Sequence, residues 1–224
     1  MYYIDTAGDC TRIVFYLYLI PLSYLLGSIP FAMIIARAHK IDLRSTGSGN
    51  IGATNLSRAL GRNWGIFCFC LDVLKGVIPM LAASLLLPAE PSAVELSMSI
   101  LTGLAAVTGH IFPVYIGFKG GKGVATSFGI ALGLWQYYCL PAAIAIIIWT
   151  AALVIRRYIS LASVIASASF PLSLCSIILL KETWTTDRLW PLMIVSAAIP
   201  AMVIIRHISN IRRIAAGTEP KVFN

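Results

Sequence analysis

Two glycine-rich stretches hold most of the groups in this chain that could handle an anion. The first, T-G-S-G-N-I-G-A-T-N from Thr46 to Asn55, sets Gly47, Gly49 and Gly52 among Ser48, Asn50, Thr54 and Asn55. Glycine leaves the backbone free to turn successive N–H groups toward one point, an arrangement that binds anions. The neutral side chains add donors. The run A-T-N-L-S-R-A-L reads as a helix start whose N-terminus favours negative charge, with Arg58 following on that helix. The second stretch is Lys119-Gly120-Gly121-Lys122-Gly123, two ammonium groups beside permissive backbone and a helix start at Val124.

Two familiar nucleotide motifs come close and fail. G-S-G-N-I-G fits the dinucleotide fingerprint by letter, and Asp72 lies 20 residues beyond Gly52. That fingerprint needs a buried strand before it, whereas K-I-D-L-R-S is polar, and Asp72 falls inside an apolar run. A Walker loop fails because Ile116 stands where its first glycine belongs and Gly123 follows the lysine.

Two further polar stretches follow. R-R-Y-I-S-L-A-S contains Ser160 and Ser163, which could meet a substrate or simply pack and cap helices. In R-H-I-S-N-I-R-R-I-A-A-G-T-E-P-K, His207 and Asn210 are three apart and share a helical face, with Arg206 and Arg213 seven apart on an adjacent one. Asp72 and Lys75, also three apart, sit within an apolar run, where charges are costly unless paired. A structural ion pair is the simpler reading, and a proton or substrate role the other.

The elements that carry these stretches are read from composition. The 224 residues are 58% hydrophobic and 12% charged, against roughly 45–50% and 25% in a soluble domain. Nearly uncharged runs of about 20 residues, enough for one crossing, mark an all-α integral membrane protein. Candidate spans are about 13–36, 64–87, 94–116, 124–155, 159–180 and 189–205. The fourth would stretch ~48 Å as one helix. Gln136, Tyr137-Tyr138 and Pro141 interrupt it, so it reads as two crossings, 124–135 and 139–155, meeting near Gln136. The result is a polytopic bundle of about seven transmembrane helices in a single domain covering 1–224.

Charge orients that bundle. Segments 37–63, 117–123, 156–163 and 206–224 hold thirteen of the seventeen Lys and Arg residues. With the fourth run split, all four face the cytoplasm, as the positive-inside rule asks. Asp5, Asp9, Glu90, Glu95, Glu182 and Asp187 fall on the other side. The N-terminus is then outside and the C-terminus cytoplasmic. The first apolar run follows two aspartates and is too long for a cleaved signal. The net charge of +8 suits topogenesis and anionic lipid rather than nucleic acid, for which no aromatic module is present. Five scattered cysteines show neither metal spacing nor a disulfide framework.

Taken together, four blocks resemble the bacterial acyl-phosphate:glycerol-3-phosphate acyltransferases. They are S-T-G-S-G-N-I-G-A-T-N-L-S-R at 45–58, G-H-I-F-P-V-Y-I-G-F-K-G-G-K-G-V-A-T at 109–126, S-L-A-S at 160–163 and R-H-I-S-N-I-R-R-I-A-A-G-T-E at 206–219. The resemblance covers nearly the whole chain. It implies a multi-pass enzyme of the bacterial inner membrane that needs no cofactor or metal. Its reaction would pass a fatty acyl group from acyl phosphate to the first hydroxyl of glycerol 3-phosphate. It further implies roles for Ser48 and Arg58 in activity, a glycerol-phosphate grip at Lys119 to Gly123, catalytic His207 and Asn210, and a structural Glu219. Between Lys119 and Lys122, Lys122 is favoured as the substrate contact; Ser160 and Ser163 stay open.

The chemistry suits these residue types. Acyl phosphate is an activated mixed anhydride, so no acyl-enzyme or Ser-His-Asp triad is required. Two anionic reactants must be brought together, which calls for Arg, Lys and aligned N–H donors. Either His207 or a substrate phosphate could take the hydroxyl proton. A phosphate transporter would place its polar pieces in broken helices at the bilayer midplane. A metal-dependent phosphatase or headgroup transferase would need more acids than Asp42 and Glu219 supply. A monomer is the default assembly.

Overall fold

The computed structural model describes residues 6–222, so Asp5 lies outside the described residues. Every regular element among them is helical. The chain forms two compact units that divide between Gly133 and Leu134.

The first unit contains α1 (Thr6–Gly27), α2 (Phe31–Ala38), α3 (Ala53–Leu60), α4 (Arg62–Leu85), α5 (Ala93–Ile111), a 3₁₀ turn (Val114–Ile116) and α6 (Val124–Gly133). The run expected as one span over 13–36 is interrupted at G-S-I-P. Pro30 has no N–H to continue the ladder and pushes Ile29 out of helical backbone, so the helix stops and restarts at Phe31. The carbonyl of Ile29 is thereby released, and the Lys75 ammonium donates to it at 3.1 Å.

Small residues let the long helices approach to backbone contact, as membrane helices do. A side chain at Gly27 would strike the main chain of Ala106, and one at Gly109 that of Tyr24. Between α4 and α6 the same holds for Gly76 against Thr126 and Gly129 against Val73. The start of α5 carries a capping box in which Ser92 and Glu95 satisfy each other's N–H groups. Arg12 pairs with Glu95 at 3.4 Å.

Around the first glycine stretch, a separate apolar cluster forms. Met33, Ile35, Leu43, Ile51 and Leu56 are buried with Cys68 of α4. Each such side chain contributes about 1.5–3 kcal/mol when buried. This cluster fastens the polar loop between α2 and α3 onto a membrane-spanning helix.

The second unit contains α7 (Trp135–Arg156), α8 (Ile159–Leu180), α9 (Thr186–Arg206) and α10 (Ile208–Ala215). Buried Tyr138 joins the three long helices, donating to Leu192 O at 2.9 Å and meeting Phe170 edge-on at 5.2 Å. The turn between α7 and α8 is tight because Arg157 adopts left-handed backbone, φ 61°.

Among the described residues, six helical stretches are long and apolar enough to cross a membrane, and α6 is a further, shorter apolar helix. The split of the fourth run is real, but the helix breaks at Leu134, two residues before Gln136. Pro141 sits inside α7 rather than ending it. As the seventh residue of α7 it removes one i→i−4 hydrogen bond, a loss that membrane helices tolerate. At ten residues, α6 runs only ~15 Å, about half the hydrocarbon thickness.

Candidate active site

The first glycine stretch is the loop between α2 and α3. Gly47 and Gly49 both take left-handed backbone, at φ 58° and 69°. Buried Asn55 organises it. Its Oδ1 accepts the Ser48 N–H at 3.0 Å, and its amide donates to Leu43 O at 3.1 Å and Thr46 O at 2.9 Å. The sequence reading counts Asn55 among substrate donors; both of its amide hydrogens are taken by the loop itself. The nest is likewise narrower than expected, because the Gly49 N–H turns inward to Thr46 O at 3.0 Å.

What the loop presents outward is the Ser48 side chain, which is exposed. Asn50 and Thr54 are half-buried in the same segment, and Arg58 is exposed about one turn after Thr54 on α3. Gly52 caps α3 without any side-chain acceptor, so the partial positive charge of that helix end is not answered by a cap.

The second glycine stretch doubles back on the end of α5. The N–H groups of Gly120 and Gly121 donate to Ile111 O and His110 O at 3.1 and 3.0 Å. These bonds satisfy carbonyls that a helix end leaves open. Gly120 and Gly121 are buried, Lys119 is exposed and Lys122 half-buried, and Gly123 turns at φ 89° into α6.

Arg44 ties the first loop to the 3₁₀ turn that precedes the second. Its guanidinium reaches Ile116 O at 3.3 Å, 72 positions along the chain. At the base of the first loop, Asp42 holds the Arg44 N–H at 3.0 Å, and its carbonyl accepts from Ser45 and Thr46 at 3.0 and 2.8 Å. By sequence Arg44 is one basic residue of segment 37–63, three positions before Gly47. Its adjacency to the glycine loop was the available signal.

Deeper in this unit lies a buried ionic cluster. Lys75 Nζ is 2.9 Å from Asp72 Oδ1, and His110 Nδ1 is 3.7 Å from the same oxygen. Thr126 donates to the Asp72 carbonyl at 3.0 Å. His110 was not singled out from the sequence, although it opens the second motif.

In the second unit, polar residues gather around Glu219. After α10, Gly217 takes left-handed backbone at φ 69°, and the chain folds back so that Glu219 is buried. Its Oε1 accepts from Ser160 at 2.8 Å and Asn210 at 2.6 Å; its Oε2 accepts from Arg213 Nε at 2.8 Å. Burial alone would raise the Glu219 carboxyl. The Asn210, Arg213 and Ser160 hydrogen bonds, with the Arg213 charge, outweigh it and hold the pKa below the ordinary value.

Ser163 is engaged within the helix pair, donating to Ile159 O at 2.9 Å and accepting Trp149 Nε1–H at 3.2 Å. Of the two possibilities open for it, this geometry is the packing one. Ser160 directs its proton to Glu219. His207 is buried at the α9–α10 junction, and its Nδ1–H donates to Val203 O at 2.7 Å. A carbonyl can only accept, so Nδ1 carries a proton.

The fold defines an integral membrane protein built of apolar helices, with polar glycine loops carried between them. The family model for glycerol-3-phosphate acyltransferase matches residues 17–217. A glycerol-3-phosphate acyltransferase of Geotalea daltonii is 44% identical over 198 residues, covering 88% of this chain and 92% of that one. One from Geobacter sulfurreducens is 42% identical over 203 residues, covering 91% and 95%. The crystal structure of PlsY (YgiH), an integral membrane glycerol 3-phosphate acyltransferase, in its glycerol 3-phosphate form superposes with a TM-score of 0.80 at 38% identity. That match covers 92% of this chain and 94% of the other. The chain belongs to the glycerol-3-phosphate acyltransferase family.

Proposed function

We propose that this enzyme transfers a fatty acyl group from acyl phosphate to the first hydroxyl of glycerol 3-phosphate. The products are 1-acyl-glycerol 3-phosphate and inorganic phosphate. The observation that carries the reading is the four intact motif blocks in a chain of this family. The related PlsY has been solved in a glycerol 3-phosphate form and a lysophosphatidic acid form, which fits an acceptor and its acylated product.

The hydroxyl oxygen attacks the acyl carbonyl carbon, the carbon–oxygen bond to phosphate breaks, and phosphate leaves with the electron pair. The hydroxyl proton passes to a phosphate oxygen of the substrate, with His207 positioning that group. Arg58, Lys119 and Lys122 neutralise the phosphates, and Ser48 and Asn210 add neutral donors. Such aligned electrostatic stabilisation is often the largest catalytic contribution. Glu219 serves structurally, by holding Ser160, Asn210 and Arg213.

Placement follows the substrates: the acyl tail partitions into lipid, while glycerol 3-phosphate is polar and cytoplasmic. We assign the enzyme to the bacterial inner membrane as a monomer, N-terminus outside and the four basic segments inside, on the charge bias. Cysteine labelling from either side of sealed vesicles tests this; modification of a cysteine placed at Ser45 from outside overturns it. The activity is tested with purified protein, acyl phosphate and glycerol 3-phosphate, without ATP, coenzyme A or metal. Phosphate release equal to lysophosphatidate formed is expected. Product from acyl-coenzyme A but none from acyl phosphate refutes the proposed donor.

A further inference from the structure

We propose that His110 is a positioning residue for the Lys119–Gly123 loop, with its imidazole as the floor of the loop and the Asp72–Lys75 pair as its anchor. The proposal rests on the reading of that loop as the glycerol 3-phosphate grip.

The loop lies directly on the ring. A methyl group added at Gly121 would overlap His110 Nε2 and come within 2.9 Å of Cε1 and 3.0 Å of Cδ2. Only glycine brings the backbone this close. Gly120 is equally tight over the helix end, where a methyl would meet Ile111 O at 2.7 Å. The two N–H bonds to Ile111 O and His110 O fix the direction of approach, and the ring fixes its depth.

The opposite side of the imidazole faces the ionic cluster. His110 is 7% exposed, and its Nδ1 points to Asp72 Oδ1. Asp72 in turn holds Lys75, which donates to the carbonyl of Ile29 released by the α1–α2 break. The Asp72 carbonyl also receives Thr126, in the first turn of the helix that the loop enters. Asp72 therefore ties α4, α5 and α6 together beneath the loop, and through Lys75 the α1–α2 link as well. A buried ion pair costs several kcal/mol per charge in lost hydration. Plain packing is served better by apolar side chains, so a cluster of this kind is suited to fixing orientation.

The consequence is felt at Lys122, the residue after Gly121, and at Lys119, the residue before Gly120. A displacement of about 1 Å in groups that position a substrate can lower rates about 100-fold. His110 does not touch substrate in this scheme. It sets the height from which both ammonium groups reach.

The test uses the full chain in lipid or detergent, with folding followed by thermal unfolding. His110→Ala is expected to raise the KM for glycerol 3-phosphate at least about tenfold, with kcat and the acyl-donor KM changed less than about threefold. Gly121→Ala is expected to act in the same direction. The double variant His110→Ala/Gly121→Ala should be clearly better than the product of the two single effects, because the added methyl enters space the ring has left. His110→Gln, which keeps a polar group toward Asp72, should lie between the parent and His110→Ala, and supplies the reading if the alanine variant does not fold. A folded His110 variant with KM within twofold of the parent overturns the proposal. So do strictly multiplicative single effects, or a loss of kcat that only tracks the unfolded fraction. Failure of the underlying reading shows differently: Lys119→Ala/Lys122→Ala would leave the glycerol 3-phosphate KM unchanged.

Discussion

Asn55, in the first turn of α3, accepts the backbone N–H of Ser48 seven positions earlier at 3.0 Å. The same side chain donates to Leu43 O and Thr46 O. It therefore holds both ends of the loop that displays Ser48. Asn55→Asp keeps the size but replaces two donors with an acceptor facing two carbonyls. We expect a loss of about 2–4 kcal/mol in stability, since each unmet buried group costs about 1–3 kcal/mol, and at least a tenfold drop in kcat/KM. Asn55→Ala, which removes the repulsion, should be the milder change. Thermal unfolding and steady-state kinetics on both variants check the order.

Asp72 and Lys75 give a second prediction. Asp72→Asn leaves the Lys75 charge buried without its counter-ion, 2.9 Å away in the parent. Breaking such a pair costs about 3–5 kcal/mol, whereas replacing both partners is often close to neutral. Asp72→Asn/Lys75→Met should therefore unfold at a higher temperature than Asp72→Asn alone. Equal loss in both would show that the pair is not an energetic unit.

Glu219 makes stability depend on pH in a definite direction. Its folded pKa is depressed, so its contribution is complete above the ordinary glutamate value of about 4.3 and is lost as pH falls through the lower folded value. Glu219→Gln should be less stable than the parent by about 1–3 kcal/mol at neutral pH, the scale of charge-assisted hydrogen bonds. The gap should narrow below pH about 4 as the parent carboxyl protonates. Unfolding midpoints of both proteins between neutral and acid pH measure it.

His207 separates two routes for the hydroxyl proton. With Nδ1–H held on Val203 O, Nε2 orients a phosphate oxygen when protonated and accepts the hydroxyl proton when not. If the substrate phosphate is the base, His207→Gln lowers kcat by about 10²-fold, the scale of one aligned group, yet keeps the acidic limb of the pH–rate profile. Disappearance of that limb in His207→Gln would make the imidazole the base.

The spans were legible because lipid demands long uncharged runs, and α8 was read to the residue at 159–180. The break at Ser28–Pro30 was not, because hydropathy averages across it and membrane helices tolerate proline. Pro21, Pro79, Pro171, Pro191 and Pro200 indeed lie inside helices. The glycine loops stood out by composition, since Gly47 and Gly49 need left-handed backbone. The inward use of Asn55 and Ser163 could not be read, because a donor's partner depends on where the chain returns. The Arg44–Ile116 and Gly121–His110 contacts are tertiary for the same reason.

Ser160 and Glu219, bonded at 2.8 Å, are separated by 59 positions. At about 5–20 residues per second of synthesis, the ribosome reaches Glu219 roughly 3–12 s after Ser160. During that interval α8 enters the bilayer with a polar group awaiting its acceptor. The Ser160–Glu219 bond can therefore close only after synthesis has passed α9 and α10.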